Sequence, residues 1–146
     1  MDLAQFNIAL PRWPLEDPRM REFTSNITRI NTLATRSPGY LWRLIDEDGP
    51  DAPRFPEHPS MTFTLSVWRD VESLRHFTWN TLHKRFRSRR TEWFVPMDGP
   101  YLVLWWVEEG HRPDGDEAQE RLSHLAKHGP SDAVFGSEAL VQPARV

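Results

Sequence analysis

From Leu3 to Leu10 apolar and polar positions alternate, with Ala4, Phe6, Ile8 and Leu10 on one side and Gln5, Asn7 and Ala9 on the other. A period of two is that of a half-buried strand. The period then changes. Asp17-Pro18 has the capping residue and first-position proline that open a helix, and Met20, Phe23, Ile27, Ile30 and Ala34 follow at steps of three and four until Ser37-Pro38-Gly39 stops it. Tyr40 to Ile45 reads as a second strand. Met61 to Trp68 reads as a third, with Met61, Phe63, Leu65 and Val67 opposite Thr62, Thr64 and Ser66. Asp70 precedes a helical stretch to about Phe94, in which Leu74, Thr78, Leu82, Phe86 and Trp93 share a face, with a break expected near Trp79-Asn80-Thr81 because all three are weak helix formers. After the turn Asp98-Gly99-Pro100, Tyr101 to Val107 is a fourth strand with almost no polar residue, so both of its faces should be covered. Asp114 with Glu117 looks like a capping box for a last helix that ends at His128 before Gly129-Pro130.

The order strand, helix, strand, strand, helix, strand is the split βαβ arrangement of ferredoxin-like folds. The expected class is α+β: one four-stranded antiparallel sheet, helices on one face, and an extra C-terminal helix. Residues 1–130 form the expected single domain, and 131–146, without a clear period, an extended tail. The uncovered sheet face, with the apolar faces of strand four (Trp105, Trp106), predicts a homodimer, most simply of twofold symmetry. Between strands two and three, Asp46 to Ser60 carries four prolines and five acidic residues, too long and polar for a hairpin loop, and reads either as a lid or as a disordered insertion.

Composition narrows the function. With 146 residues there is room for one core. A net charge of -3 offers no bulk attraction to nucleic acid or anionic membrane, and the basic run Lys84 to Arg90 is spread around a helix, without a recognition motif. The absence of cysteine excludes disulfides and thiolate chemistry and fits a cytoplasmic protein. Nothing in the sequence reads as an export signal or a membrane span. Seven Trp, eight Phe and two Tyr suit either an aromatic core or a pocket for a flat ligand.

Two stretches carry a family resemblance. Ser66-Val67-Trp68-Arg69-Asp70-Val71-Glu72-Ser73-Leu74, with Phe77 and His83 beyond, resembles the strand-to-helix signature of the antibiotic-biosynthesis-monooxygenase-like group. More closely, Leu3 to Ile8, Ser37-Pro38-Gly39-Tyr40, Trp42-Arg43-Leu44, Ser66-Val67-Trp68, Trp93-Phe94 and Gly110-His111-Arg112-Pro113 resemble the uncharacterised bacterial family DUF3291, over roughly residues 2 to 130. A fainter similarity is to spheroidene-monooxygenase-like proteins, which are associated with haem. The resemblance implies the dimeric α+β barrel fold and, by analogy, a monooxygenase-like oxidoreductase acting on an aromatic molecule. Two other readings stay open: a non-catalytic binder of haem or a hydrophobic ligand, and a structural or regulatory homodimer.

Several residues are candidates for chemistry. His76, Trp79, His83, Arg87 and Arg90 recur at helical steps and can line one stripe. His83 is the candidate metal ligand, as an axial imidazole on haem iron, with Arg87 or Arg90 pairing a propionate; it is equally a candidate proton shuttle. Trp79 and Arg43 complete the candidate cofactor contacts. Gln5, Asn7, Arg43 and Trp68 sit where a sheet-lined cavity would open, and His83, Asn7 and Trp68 are the candidate catalytic set. The alternative for Gln5, Asn7 and Arg43 is an ordinary solvent face. His124 and His128 lack a third ligand at zinc spacing.

Overall fold

A computed structural model of the chain describes residues 1–79, 84–85 and 88–141. Strand β1 (Asp2–Ala9) lies at the centre of the sheet, between β3 (Thr62–Trp68) and β4 (Leu102–Val107), antiparallel to both. β2 (Tyr40–Arg43) flanks β3, and β5 (Val134–Phe135) flanks β4, giving the order β2-β3-β1-β4-β5. The sheet is thus the expected ferredoxin-like one with a fifth strand added. That strand comes from the segment read as an unstructured tail: two residues pair with Leu104 and Trp105, and a 3-10 turn (Ser137–Leu140) follows. Elements this short leave no periodic trace.

Other departures also have local causes. β2 stops at Arg43 rather than Ile45, which is 74% exposed, and a bulge at Leu41 lets Tyr40 face Trp68 while Trp42 faces Val67. The first helical stretch divides into a 3-10 turn (Pro18–Met20), α1 (Arg21–Thr24) and α2 (Ile27–Thr35). Between the last two, the Asn26 amide donates to the Glu22 carbonyl at 2.8 Å, diverting an acceptor that a continuous helix would use. The second stretch gives α3 (Val71–Thr78), opened by the Asp70 carboxylate accepting from Ser73 N at 2.8 Å, and α4 (Arg90–Trp93); Trp79 is the C-cap of α3, at the predicted break. Gly39, at φ 85°, ends the α2–β2 turn where a Cβ would stand 2.1 Å from Ser73 Oγ, so no other residue fits.

The last helix, α5 (Gly115–His128), is capped by Asp114, whose carboxylate accepts from Glu117 N at 2.9 Å. The Glu117 carboxylate does not reach back as a capping box requires. It accepts from Trp105 Nε1 at 2.8 Å and pairs with His111 Nε2 at 2.7 Å, fixing α5 to the sheet. Ala118 and Leu125 of α5 then cover Phe6, Leu65, Val103 and Trp105. Trp105 is 1% exposed. The Trp105 face, expected to be open for a second copy, is therefore covered within the chain, while Trp106 on the other face is 36% exposed. No helix among the described residues is long and apolar enough to cross a membrane.

Candidate functional site

The other face of the sheet is apolar at its ends and polar in the middle. Leu3, Ala9, Trp68 and Leu104 pack under α2, α3 and α4, while Gln5, Asn7, Thr64 and Ser66 lie between them. The pairing of β1 with β3 sets Gln5 opposite Ser66 and Asn7 opposite Thr64, so the four side chains form one band. Above it is a cavity of about 1060 Å³, at the large end for small-molecule sites.

The four side chains and the Trp68 indole form one hydrogen-bonded chain. Trp68 Nε1 donates to Ser66 Oγ at 3.0 Å, Ser66 Oγ to Gln5 Oε1 at 2.7 Å, Gln5 Nε2 to Thr64 Oγ1 at 3.1 Å, and Thr64 Oγ1 to Asn7 Oδ1. Gln5 and Ser66 are only 7% and 8% exposed, so Gln5 does not sit on a solvent face. The Trp68 indole stacks on Phe77, ring centres 5.3 Å apart, and takes the edge of Tyr40 at 5.6 Å. Burial raises the pKa of the Tyr40 hydroxyl, with the Arg43 charge opposing, so the phenol stays neutral at the cavity wall.

Arg43 and Arg90 also line the cavity. The Arg90 guanidinium lies 4.1 Å from the Tyr101 ring centre and donates to the Ile8 carbonyl at 3.3 Å, beside Asn7 in the chain. No carboxylate of the described residues lies within ion-pair distance of Arg43. Phe23 meets Phe94 edge-on at 4.9 Å and Trp93 at 5.9 Å on the helical side. A flat ring system would therefore meet aromatic walls, a polar floor, three arginines (Arg43, Arg54, Arg90) and three carboxylates (Glu16, Glu47, Asp48).

Two further segments contribute to the lining. The acidic, proline-rich loop supplies Glu47, Asp48 and Pro53 to Pro56 to the lining, and it is pinned rather than disordered. Gly115 N donates to Asp51 O at 2.6 Å, and Gln119 Nε2 to Arg54 O at 2.8 Å. At the far end, Leu140 lines the cavity, held by Arg75, which donates to the Ala139 carbonyl at 2.8 Å, and by Trp79, whose Nε1 donates to the Leu140 carbonyl at 2.6 Å.

Gln5, Asn7, Arg43, Trp68 and Arg90 all line this one cavity. Trp79, a candidate cofactor contact, is not among the lining residues, and its indole N–H is taken by the C-terminal segment. His83 and Arg87 lie outside the described residues. The described residues contain no group of three potential metal ligands. In the basic run, Arg85 and Arg89 pair with Glu22, and Arg89 also with Glu92 at 2.6 Å, which lowers the pKa of both carboxyls. Thr64 and Ser66 were missed as site residues, because a hydroxyl on alternate strand positions has the same pattern whether it faces water or a cavity. The usable signal was that Gln5 and Asn7 carry polar groups at the matching positions of β1.

Several solved structures share this fold. SnoaB from Streptomyces nogalater, a cofactor-independent oxygenase, superposes with a TM-score of 0.51 at 13% identity, over 74% of this chain and 94% of that one. Rv0793 from Mycobacterium tuberculosis gives 0.54 at 9% identity, over 76% and 100%. A candidate antibiotic biosynthesis monooxygenase from Nitrosomonas europaea gives 0.54 at 10% identity, over 75% and 92%. The fold is therefore that of the antibiotic-biosynthesis-monooxygenase-like α+β proteins. Within that class the chain belongs to the DUF3291 family, described as a domain of unknown function, whose model matches residues 2–146. No curated protein matches the sequence.

Proposed function

We propose that this protein is a monooxygenase-like enzyme acting on a flat phenolic molecule held in the cavity between sheet and helices. The observation that carries the reading is the band running from Trp68 to Asn7, a polar floor in an aromatic-walled cavity. The fold shared with a cofactor-independent oxygenase supports it.

The chemistry follows from the lining. Arg43 and Arg90 favour the ionised form of a phenol, and a phenolate gives up an electron to dioxygen far more readily than a phenol. Asn7 and the aromatic walls orient the ring. For a phenolic ketone with an oxidisable ring methylene, the substrate supplies all the electrons. One oxygen atom of dioxygen becomes a new ring carbonyl, and the other leaves as water with the two methylene hydrogens. Haem carried on His83 is the other form of this reading; Arg43 and Arg90 are the described residues that would pair with its propionates, and it would supply an oxygen-activating iron.

The test is oxygen uptake with 1,8-dihydroxyanthrone, a flat phenolic ketone of this type, before and after addition of hemin. Uptake above the uncatalysed rate that falls at least tenfold in Asn7→Ala supports the reading. No uptake above background in either condition overturns it. Uptake that appears only with hemin, together with a Soret band lost in His83→Ala, assigns the activity to haem.

A further inference from the structure

The hydrogen-bonded band on the cavity floor has a direction, and its direction decides what Asn7 offers a ligand. The Trp68 indole N–H can only donate. Ser66 Oγ receives it at 3.0 Å, and the Ser66 hydroxyl hydrogen then has one acceptor in reach among the described residues, Gln5 Oε1 at 2.7 Å. The Gln5 amide is thereby set with its carbonyl toward Ser66 and its NH2 toward Thr64, at 3.1 Å. Thr64 Oγ1, which accepts from Gln5 Nε2, has two acceptors in reach, Gln5 Oε1 at 3.4 Å and the nearer Asn7 Oδ1, and passes its hydrogen to Asn7. Reversing the Asn7 amide alone would leave the Thr64 hydroxyl hydrogen only the longer contact to Gln5 Oε1 at 3.4 Å, and reversing both amides would leave the Ser66 hydroxyl hydrogen buried without an acceptor, an arrangement that folded proteins avoid.

The Asn7 oxygen is thus engaged, and Nδ2, with two hydrogens, is the group left over. None of the hydrogen bonds among the described residues uses it. The Arg90 guanidinium bonds the carbonyl of the next residue, Ile8, which brings its charge beside Asn7, while Arg43 and Arg54 are further cations and Glu16, Glu47 and Asp48 the carboxylates of the same lining. We infer that Asn7 Nδ2 is a recognition site for an anionic oxygen on a flat aromatic ligand, a carboxylate or phenolate, and that Ser66, Gln5 and Thr64 are positioning residues that hold the amide in its donating orientation. This rests on the reading of the cavity as a site for flat aromatic molecules.

The test is calorimetric binding of two planar, soluble isosteres: 2-naphthoate, whose carboxylate only accepts, and 2-naphthamidine, whose amidinium only donates. Wild-type protein is expected to bind the naphthoate at least tenfold more tightly. Ser66→Ala is expected to weaken the naphthoate about tenfold, the loss of roughly one charged hydrogen bond, while leaving the amidine unchanged or tighter. Ser66→Thr, which keeps the hydroxyl, is expected to restore the wild-type preference. Thr64→Val breaks the relay at its other end and serves if Ser66→Ala does not fold. A readout without ligand accompanies these: the Asn7 side-chain NH2 resonances are expected to shift in Ser66→Ala and return in Ser66→Thr. Equal binding of the two probes, tighter binding of the amidine, or a preference insensitive to Ser66 and Thr64 overturns the inference and leaves the cavity reading standing. Binding of neither probe overturns both.

Discussion

Replacing Gly115 by alanine tests whether the acidic loop is held as a wall of the cavity. A Cβ at this position would stand 2.2 Å from Pro53 N and 2.5 Å from both Ala52 C and Pro53 Cα, all of them backbone atoms that cannot rotate away. The loop must retreat by roughly 1 Å to regain ordinary contact distances. That movement breaks the Gly115 to Asp51 hydrogen bond and strains the Gln119 to Arg54 bond, at about 0.5–1.5 kcal/mol each. Overpacking adds about 1–3 kcal/mol, and the higher helix propensity of alanine returns at most about 1 kcal/mol. The net expectation is a loss of about 2–3 kcal/mol, a thermal midpoint roughly 5–10 °C lower, and faster amide exchange in residues 46–60. Gln119→Ala, which removes the clamp without a clash, is expected to show the exchange effect with a loss of only about 1 kcal/mol. If Gly115→Ala leaves both midpoint and exchange at wild-type values, the loop is not seated on α5 as described.

Other consequences can be checked with less effort. Asp70→Ala removes the side-chain cap of α3 and is expected to cost about 1 kcal/mol in urea unfolding, with Asp70→Ser recovering most of it. The Asp17 carboxyl, hydrogen-bonded to the Arg19 side chain and backbone, is held down at about 2 from its ordinary 3.8. Because the folded value is the lower one, the stabilisation is complete above pH 3.8 and fades as pH falls toward 2; carboxyl NMR of the native protein should give that midpoint, and Arg19→Ala should return it to the ordinary range. Arg75→Ala frees the Ala139 carbonyl, and limited proteolysis should then cut between residues 131 and 141 sooner than in wild-type protein.

The strands were legible because alternation survives in short stretches, but alternation fixes only the face a residue takes; the register that sets Gln5 opposite Ser66 comes from the structure. Alternation set Asn7 and Arg43 on a face and Trp68 at a strand end, but it did not decide between a cavity and solvent; the structure puts all three on the cavity lining. What stayed hidden depends on contacts between distant segments. Glycine at the start of a helix looks like an ordinary capping residue, and only the packing of Pro53 against Gly115 shows that it seats a loop. The helix from Gly115 to His128 was visible in sequence, but not that Glu117 would give its carboxylate to Trp105 and fold the helix over the second sheet face. Trp79 shows the limit of spacing arguments. Its helical step from His76 and His83 placed it on a stripe of candidates, whereas its indole is turned to the Leu140 carbonyl.

The most direct test of the proposed activity is the mass of the product formed from 1,8-dihydroxyanthrone under 18O2. One labelled atom in the new ring carbonyl, formed at a rate that falls at least tenfold in Asn7→Ala, is the expected result. A product without label, or labelled product formed no faster than without protein, would contradict it.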